Sequence, residues 1–366
     1  MRIVYVLLSP TFGMHQYTAD LANRVAALGH DAVLVTTTTY ARDRYAPSVQ
    51  VAAPVTTHGT GFKPEGLRLD QYRRVVHTLQ LLAPDVVHIT GVHLWNVPLV
   101  RWLRRRGVPV IHTLHDLDPH HGVPFGRLIR IWNRLIIGSA SHLLVHGQIY
   151  AERLLASGCE ADRVSCVPLL HLFLSYEGFA RLADNGVNYG GWALFFGRLE
   201  SYKGVAHLIA AERKLGASQS RVTLVLAGSG PLGSQADIAP SIDLRNHRID
   251  DDEAIDLFQS CGLLILPYLD ASQSALVAAA YYFAKPVIVT DVGALPEYVQ
   301  PGVTGWVVPA GDAGALADAW RDAMSNQDRL RRMGETGRTW YFDQRLQEQA
   351  VLVAMYEKVV KERQAP

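Results

Sequence analysis

Short β-branched runs recur along the chain, each followed by a longer amphipathic segment, and this alternation starts twice. Apolar runs of this kind belong to strands covered on both faces, which means parallel sheets with helical crossovers. The first series is Arg2 to Leu8, Asp31 to Thr37, Asp85 to Thr90, Val108 to His115, His142 to His146 and Val164 to Val167. The second is Trp192 to Phe196, Val222 to Ala227, Arg248 to Ile249, Leu263 to Leu266, Val287 to Thr290 and Trp306 to Val308. Between the first two runs, Leu21, Val25 and Leu28 recur at helical spacing, and Gly29 supplies the stop.

The expected fold is α/β, with two tandem Rossmann-like doubly wound domains, residues 1–172 and 185–343, whose strand C-termini face a shared cleft. The Asn and Gly content of Asp184 to Gly191 suits an exposed linker. A final amphipathic helix, about 344–363, presents Leu346, Val351, Val353, Ala354, Tyr356, Val359 and Val360. It is expected to pack back onto the first domain.

With 35 Lys and Arg against 34 Asp and Glu, the chain is not a general nucleic-acid binder. The charge is uneven, because residues 1–180 hold 17 basic and 12 acidic side chains and the remainder 18 and 22. Three cysteines, Cys159, Cys166 and Cys261, lack C-x-x-C spacing and suit a reducing, cytoplasmic compartment. The opening MRIVYVLLSP has too short an apolar run for a signal peptide and reads as a first strand. No apolar run reaches the roughly 18 residues needed to cross a bilayer, so membrane contact would be peripheral.

Several segments have the composition of an anion site. In YLDASQSALVAAAYYFAKPVIVTD, a Ser-Gln-Ser cluster precedes an apolar helix, whose first turn has unpaired N–H groups and a partial positive charge. Ser272 or Ser274 can equally be a simple N-cap. In GRLESYKGV, Arg198 and Lys203 lie in a turn between a strand and a helix, where they form either a diphosphate clamp or a solvated turn paired with Glu200. LAGSGPL places Gly228 and Gly230 at another strand end, where backbone can approach a ligand closely.

Taken in order, GRLESYKGV, AGSGPL, LPYLDASQSALVAAAYYFAKPVIVTDVGALPEYV and GVTGWVVPAGD closely resemble the C-terminal domain of GT-B glycosyltransferases of family 4, retaining enzymes that use nucleotide-activated sugars. PTFGMHQYTADLANRVAALGHDAVLVT, PDVVHIT and VIHTLHDLDP extend the resemblance through the N-terminal half. The resemblance implies that Arg198 and Lys203 hold the donor diphosphate, that Gly13 approaches the same phosphates, and that His115 stands beside the transferred sugar. It also implies donor contacts at Gly228, Gly230, Ile249, Asp270, Ser272, Gln273 and Ser274. Two glutamates usual in the family are replaced here by Ala271 and Ala279, and the first glycine of the usual Gly-Gly pair by Phe12.

A UDP- or GDP-sugar and a hydroxyl on a glycan or lipid-linked acceptor are the implied partners, in surface polysaccharide or glycoconjugate synthesis. Fixed cations and backbone N–H groups can stabilise a leaving diphosphate, so neither a metal nor any other cofactor is required. The two alanines leave open a nucleotide-sugar-binding homologue without transferase activity, and a nucleotide-sugar 2-epimerase is the other GT-B alternative.

His112, His115, His120 and His121, with Asp116 and Asp118, match no recognised zinc spacing, and a strand would put His112 and His115 on opposite faces. Arg101, Arg104, Arg105 and Arg106 lie on or near one helix, and Arg127, Arg130 and Arg134 recur on another that interleaves Leu128, Ile131, Trp132 and Leu135. Two readings compete for these helices: solvated faces packed on their own sheet, or docking on an anionic membrane at its inner face.

Overall fold

The computed structural model describes residues 1–9, 12–56, 68–117, 126–180, 182, 188–216, 223–232 and 238–364. The chain divides into a first unit, Met1–Arg181 with Gln347–Pro366, and a second, Leu182–Leu346.

The first unit runs β1 (Arg2–Leu7), α1 (Phe12–Ala27), β2 (Asp31–Thr37), β3 (Gln50–Val55), α2 (Leu69–Leu82), β4 (Val86–Ile89), α3 (Asn96–Arg104), β5 (Val110–Thr113), α4 (Gly126–Ser139), β6 (His142–Val145), α5 (Gln148–Ala156), β7 (Val164–Cys166) and α6 (Tyr176–Ala180). Its parallel sheet has the order β3-β2-β1-β4-β5-β6-β7. In β1 every residue after Arg2 is buried, as a central parallel strand requires. Each such Ile, Val or Leu contributes about 1.5 to 3 kcal/mol through burial.

The second unit runs β8 (Ala193–Phe196), α7 (Val205–Lys214), β9 (Leu224–Ala227), β10 (Ile242–Arg245), α8 (Asp251–Ser260), β11 (Leu263–Leu266), α9 (Ala275–Tyr282), β12 (Val287–Thr290), β13 (Gly305–Val308) and α10 (Ala313–Met324). The order of its parallel sheet is β10-β9-β8-β11-β12-β13. A long helix, α11 (Gln327–Gln364), starts in this unit and contributes its residues from Gln347 onward to the first. There the Tyr356 hydroxyl lies 3.1 Å from that of Tyr5 and 2.7 Å from His88 Nδ1, while Arg24 pairs with Glu348 at 2.6 Å.

Three sequence expectations need correction. No strand forms at Arg248 to Ile249; the strand of that region is β10, and Ile249 lies in the connection to Asp250, the N-cap of α8. A further strand, β3, went unread. Both are edge strands, where a proline (Pro54) and the charged pair Asp243 and Arg245 are tolerated and interrupt the apolar run. On α11 the buried positions are Leu352, Met355, Tyr356 and Val359, while Leu346 and Val351 are exposed, because the stripe is set by what the helix packs on. Residues 188–190 of the expected exposed linker are pinned: Lys285 Nζ donates to the Asn188 carbonyl, Tyr189 Oη donates to Ala284 O at 2.9 Å, and Gly190 N donates to Ser260 O at 3.0 Å. The rest of that linker from 184 to 187, together with Val222, Asp118, His120 and His121, lies outside the described residues.

Candidate functional site

In the second sheet the strand order reverses at β8, so the C-terminal ends of β8 and β11 flank a topological switch point, the place where open α/β sheets bind ligands. β8 leads to α7 and β11 to α9. The first turns of both helices contain no acid. α7 begins after Gly204 with no side-chain cap. α9 is capped by Ser274, whose Oγ accepts from Leu276 N over a long 3.4 Å. By contrast, Asp250 caps α8 ahead of three first-turn acids, and Asp312 caps α10 with bonds from Gly314 and Ala315. The helix starts at the switch point thus keep positive potential that α8 and α10 neutralise internally.

Lys203 stands between them. Its Nζ lies 3.6 Å from the ring centroid of Tyr268, a buried residue just past β11, and 5.0 Å from that of Tyr202. The Tyr268 hydroxyl is in turn 3.5 Å from Ser274 Oγ. The two loops are stitched together by Leu269 N donating to Tyr202 O at 2.8 Å. At Gly204, with φ +69°, an added Cβ would come 1.8 Å from the Pro267 carbonyl oxygen, so only glycine fits. Among the described residues Lys203 has no carboxylate partner, whereas Arg198 pairs with Glu200 at 2.7 Å and donates to the Tyr202 hydroxyl at 2.8 Å. The structure therefore gives the two cations different states: Lys203 is held on aromatic faces, and Arg198 is exposed and paired.

The glycines separate likewise. A Cβ at Gly228 would meet Gly197 O at 1.8 Å and one at Gly230 would meet the Leu199 backbone at 2.9 Å, so both are required by close approach of neighbouring loops. In the first unit, a Cβ at Gly13 would have no described atom within 4 Å, so described packing does not explain that glycine. Asp270 and Gln273 are half-buried and Ser272 and Ser274 buried. The Ser272 carbonyl accepts from Ala294 N at 2.9 Å, which fixes the loop ahead of α9. Ala271 is 7% and Ala279 only 1% exposed, so the helix leaves no open room for a carboxylate at 279.

In the first unit, His115 follows β5 and is buried. Its Nε2 donates to Thr90 O at 3.0 Å, which leaves Nδ1 as a buried acceptor with no partner among the described residues. Burial lowers its pKa, against the opposing influence of Asp116 and of the bond to Thr90, and keeps the ring neutral. Tyr17 of α1 meets His115, His146 and His171 edge-on, with centroids 4.8, 5.0 and 5.9 Å away. His112 turns the other way, toward Trp132 and Asn96. Among the described residues no three His, Cys, Asp or Glu side chains are placed to hold a metal ion. Sequence reasoning passed over Tyr268, Tyr202 and Tyr17. The only signal for Tyr268 was its position just ahead of Asp270 in the quoted motif.

Two Rossmann-like units in tandem, the second with its open helix starts at the switch point, define the GT-B class. Family models agree: residues 12–169 match a "Glycosyl transferase 4-like domain" and residues 191–326 "Glycosyl transferases group 1". The chain belongs to the GT-B glycosyltransferases. It is 26% identical over 364 residues to a D-inositol 3-phosphate glycosyltransferase of Gordonia bronchialis, covering 89% of this chain and 79% of the relative. A Streptomyces coelicolor protein of the same name is 25% identical, with 88% and 81% covered. Among solved structures, sucrose-phosphate synthase from Thermosynechococcus elongatus superposes with a TM-score of 0.71 at 19% identity, covering 100% and 98% of the two chains. Anabaena HepE in complex with UDP and glucose gives 0.69 at 18%, covering 100% of both.

Proposed function

We propose that this glycosyltransferase moves a sugar, with retention, from a UDP- or GDP-sugar to a hydroxyl of a glycan or lipid-linked acceptor. The observation that carries this reading is Lys203, fixed on Tyr268 between two helix starts that have no first-turn carboxylate. Such a place suits a departing diphosphate, whose charge is greatest in the transition state. The bond from the anomeric carbon to the phosphate oxygen breaks, and the acceptor oxygen bonds to that carbon on the same face. The acceptor proton passes to the departing phosphate oxygen. An oxocarbenium-like path of this kind needs no enzyme nucleophile, so Ala271 does not remove the chemistry.

In this reading the Gly13 backbone approaches the phosphates, and His115 Nδ1 accepts a hydrogen bond from a donor-sugar hydroxyl. Gly228, Gly230, Ile249, Asp270, Ser272 and Gln273 are assigned to the same donor. UDP-bound HepE among the structural neighbours supports a nucleotide sugar, as do the free cysteines a reducing, cytoplasmic setting. Ala271 and Ala279 favour a second reading, in which the chain binds a nucleotide sugar without transfer. The test is calorimetry with UDP, GDP and their sugars, alongside donor hydrolysis without acceptor. Binding with slow release of the nucleoside diphosphate is expected; binding with no turnover favours the second reading, and no binding overturns both.

A further inference from the structure

The helices α3, α4 and α5 each lead to the next strand in the same direction across the first sheet, so right-handed crossovers place them on one face of it. α4 turns Trp132, Asn133 and Ile136 inward. Its outer side mixes aliphatic side chains with arginines. Leu128, Ile131 and Leu135 are 42%, 54% and 39% exposed, and their i, i+3, i+7 spacing makes one stripe. Gly126–Ser139 contains no acid, so the exposed Arg130 and Arg134 have no i, i+4 partner. Neither has a carboxylate partner among the described residues.

Arg130 and Arg134 also line a cavity of about 590 Å³ between α4 and the end of α5, together with Arg153 and Arg163. Among the described residues no Asp or Glu lines it. Arg163 is fixed there by donating from Nη2 to the carbonyls of Ile137 at 3.2 Å and Ala140 at 2.7 Å. Asp162, its sequence neighbour, is engaged by Lys358 at 3.5 Å. α3 packs beside α4 and adds exposed Arg101, Arg104 and Arg105. Arg130 and Arg134, without a carboxylate partner among the described residues, suit a phosphate at this cavity, and arginines bordering aliphatic side chains suit a surface whose phosphates lie above hydrocarbon.

We propose that the α4–α5 face docks on an anionic lipid bilayer. Leu128, Ile131 and Leu135 enter the acyl boundary, while the cavity arginines take the phosphate of an anionic lipid headgroup. The proposal deepens the lipid-linked acceptor reading and rests on it for its purpose. Its test uses the full chain and needs no substrate: co-sedimentation with phosphatidylcholine vesicles, with and without phosphatidylglycerol. Binding should require phosphatidylglycerol and fall about fivefold for each arginine removed in Arg130→Gln and Arg134→Gln. Ile131→Ser should weaken it as well. All three positions are exposed, so melting temperature and UDP or GDP affinity should match the parent, which separates a failure here from a failure of the donor assignment. Calorimetric binding of inorganic phosphate without vesicle association would overturn the lipid assignment and mark a soluble phosphate site. Vesicle binding that ignores phosphatidylglycerol, or survives unchanged in the variants, would overturn the proposal too.

Discussion

Lys203 holds its ammonium nitrogen 3.6 Å from the ring centroid of Tyr268, so a cation from the loop after β8 is aimed by an aromatic ring at the end of β11. A charge-assisted bond from it to a phosphate is worth about 1.5 to 3 kcal/mol. Lys203→Ala should therefore weaken nucleoside-diphosphate binding by roughly one to two orders of magnitude, with little change in melting temperature. Tyr268→Leu keeps the cation but not its rest, and should give a smaller loss. Calorimetry on both variants checks the order; unchanged binding in Lys203→Ala would remove it from the site.

Arg198 is paired with Glu200 at 2.7 Å, and its side chain is 66% exposed. A bound diphosphate has to displace that carboxylate. Surface pairs of this kind are worth at most about 1 kcal/mol. Glu200→Gln should therefore tighten UDP or GDP binding modestly, by up to about fivefold. An affinity that does not move, or falls, would show that Arg198 does not serve the phosphates.

Ser274 caps α9 through a 3.4 Å bond to Leu276 N. If the helix start also takes phosphate, Ser274→Ala should cost about 1 kcal/mol of nucleotide binding, as for one neutral hydrogen bond. Ser274→Asp should cost much more, because a carboxylate would occupy the positive end of the helix. Aspartate caps as well as serine does, so the helix should stay folded. An aspartate variant that melts and binds like the parent would leave Ser274 as a cap alone.

Since charge stabilisation is assigned to Lys203, Arg198 and the helix starts, chelation with EDTA should leave the transfer rate unchanged. Inhibition by chelator that a divalent ion reverses would give the diphosphate to a metal instead.

Burial lowers the pKa of His88 and of His112 to about 3, and that of His142 to about 4. These groups are neutral in the fold and take up protons on unfolding below the ordinary histidine value of about 6.5. The unfolded state thus binds more protons between pH 6.5 and these lowered values, and stability is full above that window and lost as pH falls through it. Each contributes up to about 1.4 kcal/mol per pH unit inside the window. Urea midpoints for the first unit should decline from pH 7 to pH 5 with a slope of more than one proton. A flat profile would show that the histidines are not buried in solution.

The tandem α/β architecture was legible because strands covered on both faces, such as β1 and β11, leave continuous apolar runs that nothing else explains. The motif segments were legible too, since Lys203, Gly204 and Ser274 stand where strands hand over to helices. The edge strands β3 and β10 were not, because one side of each lies outside the sheet and Pro54, Asp243 and Arg245 are admitted there. Only the tertiary structure decided that Lys203 rests on Tyr268, that Arg198 is held by Glu200, and that Gly228 and Gly230 serve loop packing while no described atom crowds Gly13. It also gathered Tyr17, His115, His146 and His171 at one end of the first sheet. The physical reason is one of range: periodicity and caps act within a few residues, whereas these contacts join side chains brought together only when parallel strands distant in sequence pair in register.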